Sequence, residues 1–246
     1  REKKEHYRII YLERVEYHST RRLAQKSPWR VLSMIVDAMT SWKTALPRFG
    51  REIKIKCEKY GCQLHTALVH GNKQDLNNPC GGFHYLVDDA VAGGANVAVE
   101  VVWRTLLQLA ELREVWSEVF CLQLDNTSKD NKNRTMLRFM AWLVFASIFH
   151  QTELGFLPVG HTHEDVDALF SVIARWLMKL GVVGSFEELK EHLWSCFHRA
   201  SASGKESKSR KAEWQPCAPA QVITGTHDWK RWLDQPSEEG NADPSC

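Results

Sequence analysis

The sequence predicts an α/β domain built on a five-stranded mixed sheet, three antiparallel strands followed by two helix-linked strands, with helices on its flanks. Three observations carry that expectation. Short apolar runs rich in Val, Ile and Leu recur between clusters of turn-forming residues. Between the later runs the apolar spacing switches to a helical period. The chain of 246 residues, 43% hydrophobic with ten Trp and ten Phe, has ample material for one sizeable core.

The elements follow in order. Residues 2–26 read as a charged amphipathic helix with Tyr7, Ile10, Tyr11 and Val15 on one side, ended before Pro28. RVLSMIVDAM (30–39) is a buried strand holding a single charge, Asp37. CQLHTALVHG (62–71) and FHYLVDD (83–89) are two further strands, separated by the turn-forming DLNNPCGG, and short links make the three an antiparallel meander. From Asn96 to Trp116 a helix presents Val99, Val102, Leu106, Leu109 and Leu112 on one face. EVFCLQLDN (118–126) is the fourth strand, 131–150 a largely buried helix, and TELGFLPVG (152–160) the fifth strand. A helix from Thr162 to Leu180 starts with Thr162 as N-cap and Asp165 as its capping-box partner, and 185–199 repeats the signal with Ser185 and Glu188. The expected divisions are a basic N-terminal helix (1–27), the α/β domain (28–199), and a flexible basic linker with a tail (200–246).

Composition narrows the partners. Residues 1–60 carry 15 Lys and Arg against 7 Asp and Glu, whereas residues 61–200 carry 11 against 16. A basic N-terminal third beside an acidic middle suits a polyanion approached by one face; a solvated basic helix is the plainer alternative. No run of 18 uncharged apolar residues occurs and REKKEHYRII has no signal-peptide core, so a soluble, intracellular protein with no membrane partner is expected. Seven scattered Cys argue for reduced thiols rather than a disulfide framework. The chain opens without Met, as a piece of something longer would.

Acids mark a site on this frame. Asp37 lies in the first strand, Asp125 ends the fourth, and HTHEDVD (161–167) opens the helix after the fifth. Carboxyl ends of strands and starts of following helices share one edge of an α/β sheet, where ligands bind. Two carboxylates about 4 Å apart repel by about 4 kcal/mol at an effective dielectric of 20, so three together call for a cation. Hard oxygen donors suit Mg²⁺ or Mn²⁺, and a two-metal site of this kind cleaves or joins phosphodiesters. Each acid also has an ordinary explanation. Asp37 can pair with Lys43, Asp125 with Asn126 can start an Asx turn, and Glu164, Asp165 and Asp167 can be dipole-favoured acids of a first helical turn.

The phrases IVDAMTSWKTALPRF (35–49), LQLDNTSKDNKNR (122–134), FLPVGHTHEDVDALFSVI (156–173) and DWKRWL (228–233) bear a resemblance. They are similar to the signatures of a large uncharacterised eukaryotic family related to transposable elements, which resembles the integrase domain of DDE-type transposases. That resemblance, like the order of the elements, implies a ribonuclease-H-like fold. It implies Asp37, Asp125 and Asp167 as catalytic and metal-binding acids, with Mg²⁺ or Mn²⁺ as cofactor. Asn126, Asn131, Asn133, His161 and Thr162 fall on recurrent polar positions. The expected activity is a metal-dependent DNA nuclease or strand transferase, nuclear, with DNA as partner and a homo-oligomer compatible with it. The first block departs from the pattern: Ala38 replaces a usual Gly, and Thr40 and Ser41 replace common Asp and Gln. The alternative is therefore a domesticated, catalytically inactive nucleic-acid-binding or scaffolding protein.

Secondary candidates surround the triad. Asp165 and Glu164 compete with Asp167 for the third position. At the helix start His161 and His163 can contact a phosphate or shuttle a proton. Asp167 shares a helix face with His163, four residues before it. Arg21, Arg22 and Lys26 are expected DNA contacts, and Lys132 and Arg134 phosphate contacts at a helix start. Cys57, Cys62 and His65 have only loosely zinc-like spacing. No Walker loop, dinucleotide glycine motif or serine elbow occurs.

Overall fold

A mixed sheet of six strands runs through the middle of the chain, whose computed structural model describes residues 2–39, 41–50, 56–72, 74–75, 77–127, 131–156, 165–198 and 216–235. The strands are β1 (Val31–Ala38), β2 (Arg48–Phe49), β3 (Cys62–His70), β4 (Gly81–Asp88), β5 (Val119–Leu124), β6 (Gln151–Phe156), β7 (Val182–Val183) and β8 (Gln221–Ile223). The helices are α1 (Glu2–Lys26), α2 (Ala95–Leu112), α3 (Arg134–Phe145), α4 (Asp165–Leu177), α5 (Phe186–His198) and α6 (Trp229–Asp234). The main sheet has the order β6-β5-β1-β3-β4-β8, and β2 and β7 form a separate antiparallel ribbon. β3 is antiparallel to both β1 and β4, while β5 is parallel to both β1 and β6.

Both faces of the sheet are covered at its centre, which is why the β1 run is apolar throughout instead of alternating. Leu32, Met34 and Val36 join Val99, Leu106, Phe139 and Leu143 of α2 and α3 in one core layer. Ile35 joins Val166, Leu169, Leu189 and Leu193 of α4 and α5 in the other. The start signal read at 185–188 is present: the Ser185 hydroxyl accepts from Glu188 N at 3.2 Å, and Glu188 accepts from Gly184 N at 2.7 Å. No helix among the described residues is long and apolar enough to cross a membrane.

Four expectations need correcting. The sheet has six strands rather than five, because β8 pairs in parallel with β4. Gln221–Ile223 is three residues long between turn-forming neighbours, too short to leave a periodic trace. Residues 216–235 consequently belong to the packed domain and extend it past the boundary expected at 199. Their anchor is Trp229, fully buried, whose indole N–H donates to Glu100 at 2.7 Å. Glu100 is 1% exposed and also lies 2.7 Å from Arg104 Nε and 2.8 Å from His227 Nδ1. Burial opposes its charge, yet bonds from Arg104, His227 and Trp229 hold its carboxyl below the usual range.

α1 is rotated from the expected stripe. Ile10, Tyr17 and Ala24 are buried, whereas Tyr7, Tyr11 and Val15 face outward at 54%, 67% and 44% exposure. Polar anchors set the rotation: the Tyr17 hydroxyl lies 3.1 Å from His70 Nε2, and Arg21 pairs with Asp165 at 2.7 Å. α3 is shorter than 131–150 and less buried, with Leu137 and Phe145 exposed. Its start is fixed by Asn133, whose side chain accepts from Met136 N at 3.0 Å.

Glu100→Leu, which strands the Trp229 and His227 donors, should cost about 3 kcal/mol, and Trp229→Ala about 3–5 kcal/mol, in urea unfolding. Wild-type stability in both would mean that 216–235 is not integral to the core.

Candidate functional site

The β1–β5 register builds the site. Pairing runs from Val31–Val119 to Val36–Leu124. The next step sets Asp37 beside Asp125 on strands about 4.8 Å apart. Asp37 lies two residues beyond Ile35 and so on the same face, toward α4, whose first turn carries Asp167.

The electrostatics of Asp37 place the three acids in one neighbourhood. Burial pushes its carboxyl up from 3.8 to about 7, against the stabilising bond from Ala38 N at 2.8 Å; repulsion by Asp167 and then Asp125 raises it further. Asp125 accepts from Asn126 N at 2.6 Å, a bond to the next residue rather than the bond two residues on that defines the Asx turn expected for this pair. Beside the acids opens a cleft of about 510 Å³ at the carboxyl edge of the sheet, lined by Asp37, Asp125, Asp88, Asp89, Asn131 and the Gly93–Gly94 start of α2. Asp88, the last residue of β4, and Asp89 lie at this edge, where Asp88 accepts from Ala90 N at 2.8 Å and also receives the Tyr60 hydroxyl.

His65 faces the same cleft, and burial pushes its imidazole down to about 4, leaving a neutral ring 3.1 Å from Gln63 Oε1. Cys62 and His65 are three apart on β3 and so point to opposite faces. Burial first, and then Asp88 and Asp89, push the Cys62 thiol up to about 12.

The remaining candidates separate. Asp165 faces away from the acid cluster into a buried network: Arg21 at 2.7 Å, with His70 Nε2 and the Tyr17 hydroxyl each at 3.4 Å. Burial resists its charge, but His70, Arg21 and His18 hold its carboxyl below the usual range. Ser33 Oγ lies 3.0 Å from His70 Nδ1, so Ser, His and Asp meet with the ring nitrogens in reversed roles relative to a hydrolase triad. Arg21, expected as a DNA contact, is therefore an internal ion pair that ties α1 to α4. No local pattern announces a pair 144 residues apart; the only signal is Tyr17 and Arg21 one helical turn apart. Arg22 and Lys26 are exposed, as are Arg134 and Lys132, the latter 5.3 Å above the Phe156 ring. His161, Thr162, His163 and Glu164 lie outside the described residues.

Among the described residues no three His, Cys, Asp or Glu side chains stand grouped as a ready cation cage. The donor set nonetheless fits a divalent cation in kind. Asp37, Asp125 and Asp167 are hard oxygen donors, and the carboxyl of Asp37, raised first by burial and then by Asp167 and Asp125, is one that a bound cation would bring back down.

A pH test follows from the sign of that shift. Between about pH 4 and pH 7 folded Asp37 holds a proton that the unfolded chain has released, so its contribution to stability is lost as pH rises through this window. Asp37→Asn should raise the thermal midpoint at about pH 8 and leave it unchanged at about pH 3.5. Mg²⁺ should raise the wild-type midpoint at about pH 8 and act far less on Asp37→Asn. Equal midpoints for the two proteins across the range would contradict this.

No curated protein and no solved structure gives a significant match to the chain. A family profile does, over residues 55–241, a span that holds two of the three acids, most of the cleft lining and the Trp229 anchor. The chain thus belongs to the family defined by the domain of unknown function DUF7869.

Proposed function

We propose that this domain is a transposon-derived, divalent-metal-dependent DNA nuclease or strand transferase of the DDE type. The observation that carries the proposal is the placement of Asp37 on β1 and Asp125 just past β5, neighbouring strands whose ends line the acid-rich cleft, with Asp167 in the first turn of α4. Three acids on a strand, a strand end and a helix start are costly as structure and useful as a cation site.

The sheet supports a ribonuclease-H-like assignment. In chain order its five longer strands stand 5-4-1-2-3, an antiparallel meander followed by two helix-linked parallel strands beyond the first, with β8 added at the far edge. Asp37, Asp125 and Asp167 would hold Mg²⁺ or Mn²⁺. When bound, the ions supply activation of a water or 3′-hydroxyl and charge neutralisation at the leaving oxygen. The chain contributes short, rigidly mounted carboxylates and a cleft that orients the strand. DNA would approach along exposed Arg22, Lys26, Lys132 and Arg134. Nuclear location and homo-oligomeric assembly belong to the same proposal.

One observation favours a second reading, a catalytically inactive nucleic-acid-binding or scaffolding domain. Ser41, where related signatures carry Gln, lines the cleft, and Ala38 adjoins Asp37. A labelled DNA duplex titrated with Mg²⁺ or Mn²⁺ separates the two. Metal-dependent cleavage or joining should appear and fall at least 100-fold in Asp125→Asn and Asp167→Asn, each folded, as when the electrostatic core of a site is removed. Binding without turnover at any metal concentration would establish the inactive form. Charge removal at Arg22 or Lys26 should lower the salt slope of binding by about one contact each, whereas Arg21→Ala should chiefly lower stability.

A further inference from the structure

A second cleft, of about 620 Å³, lies on the other side of the β5–α3 turn from the acid site. One wall is a stripe of α1 from Ile9 through Glu13, Glu16 and Tyr17 to Thr20, about 16 Å long. The floor is the polar face of β5 and β6, where Cys121, Gln123 and Glu153 sit. Strands of a parallel sheet are ordinarily buried on both faces, and here α1 packs on β1 and β3 and leaves this strip open.

We propose that this groove binds an extended basic peptide segment of a partner protein, with Glu13, Glu16 and Glu153 receiving its Lys or Arg side chains. All three glutamates are exposed along the groove. Their charge is opposed by Lys132, which lies at the carboxyl-edge end above Phe156 and closes the groove there. Arg14 and Arg21, on the neighbouring flank of α1, are outside the lining, and Arg21 is held by Asp165. A polyanion is thus repelled along most of the length. The Cys121 thiol on the floor reports the same negative field: it donates to Glu153 at 3.3 Å and is pushed up to about 12 by burial, Glu153 and Glu16.

The rest of the lining suits long cationic side chains on an extended backbone. Ile9, Tyr17, Leu154 and Phe156 offer apolar surface for methylene stems. At Gly155 an added Cβ would come within 2.5 Å of Gln123 Oε1, so glycine here leaves room for the Gln123 side chain across β6. A length of about 16 Å accepts about five extended residues at 3.3–3.6 Å each. The groove stands apart from Asp37, so this proposal is independent of the nuclease assignment.

The probe is an amidated Arg-Ala-Arg-Ala-Arg peptide, with its Glu-for-Arg counterpart and a single-stranded oligonucleotide as comparisons. The basic peptide should bind the wild-type chain and shift the amide resonances of Cys121, Gln123 and Glu153 in a nitrogen-15-labelled sample. Glu13→Gln, Glu16→Gln and Glu153→Gln should each weaken binding about two- to five-fold, the size of exposed ion pairs. Glu187→Gln, at an exposed pair with Lys190 on α5, should not. No binding, equal weakening by Glu187→Gln, or unshifted resonances at all three groove residues would overturn the proposal. Shifts of these resonances by the oligonucleotide alone would overturn it in favour of a nucleic-acid groove.

Discussion

The parallel pairing of β1 with β5 is the constraint on which the rest of the structure depends. It joins residues 31–36 to 119–124 across a long stretch of chain and sets two carboxylates side by side where the apolar runs stop. Parallel strands need coverage on both faces, so α2 and α3 pack on one side and α4 and α5 on the other. α4 can then bring Asp167 toward the same edge. The raised carboxyl of Asp37 follows from this packing: burial comes first among its causes, and Asp167 and Asp125 add to it.

Two buried polar networks brace this arrangement from outside the sheet. Asp165 gathers Arg21, Tyr17 and His70 and fastens α1 across β1 and β3 to the start of α4. Glu100 gathers Arg104, His227 and Trp229 and fastens the returning C-terminal segment onto α2. Each is an isolated carboxylate whose burial is tolerable only because several donors converge on it, so loss of one donor costs more than an exposed pair would. The two acids beside the proposed site thus differ by environment: Asp165 is satisfied by cations and hydroxyls, whereas Asp37 faces other acids.

Local periodicity made much of this legible. The runs at 30–39, 62–71, 83–89 and 118–126 are strands within a residue or two, and the charges that interrupt or end them, Asp37 and Asp125, lie together at the sheet edge. What stayed hidden depends on distance in sequence. The β8 strand is three residues, the Arg21–Asp165 pair spans most of the domain, and Glu100 meets His227 only after the chain has returned. The rotation of α1 was misjudged for the same reason: its aromatic stripe suggested Tyr7, Tyr11 and Val15 inward, but the bonds of Tyr17 and Arg21 turned those residues out. The DWKRWL phrase illustrates the point from the other side, since its Trp229 closes the core and Asp228 caps α6 by accepting from Arg231 N at 3.1 Å.

The central claim is that Asp37, Asp125 and Asp167 form one cation site. Crystals of the domain soaked in Mn²⁺ and examined by anomalous diffraction test it most directly. The account predicts an anomalous peak held by Asp37 and Asp125, with Asp167 bound directly or through one water. Mn²⁺ ordered instead at Asp88 and Asp89, or no ordered ion at concentrations that saturate a Mg²⁺ site, would contradict it.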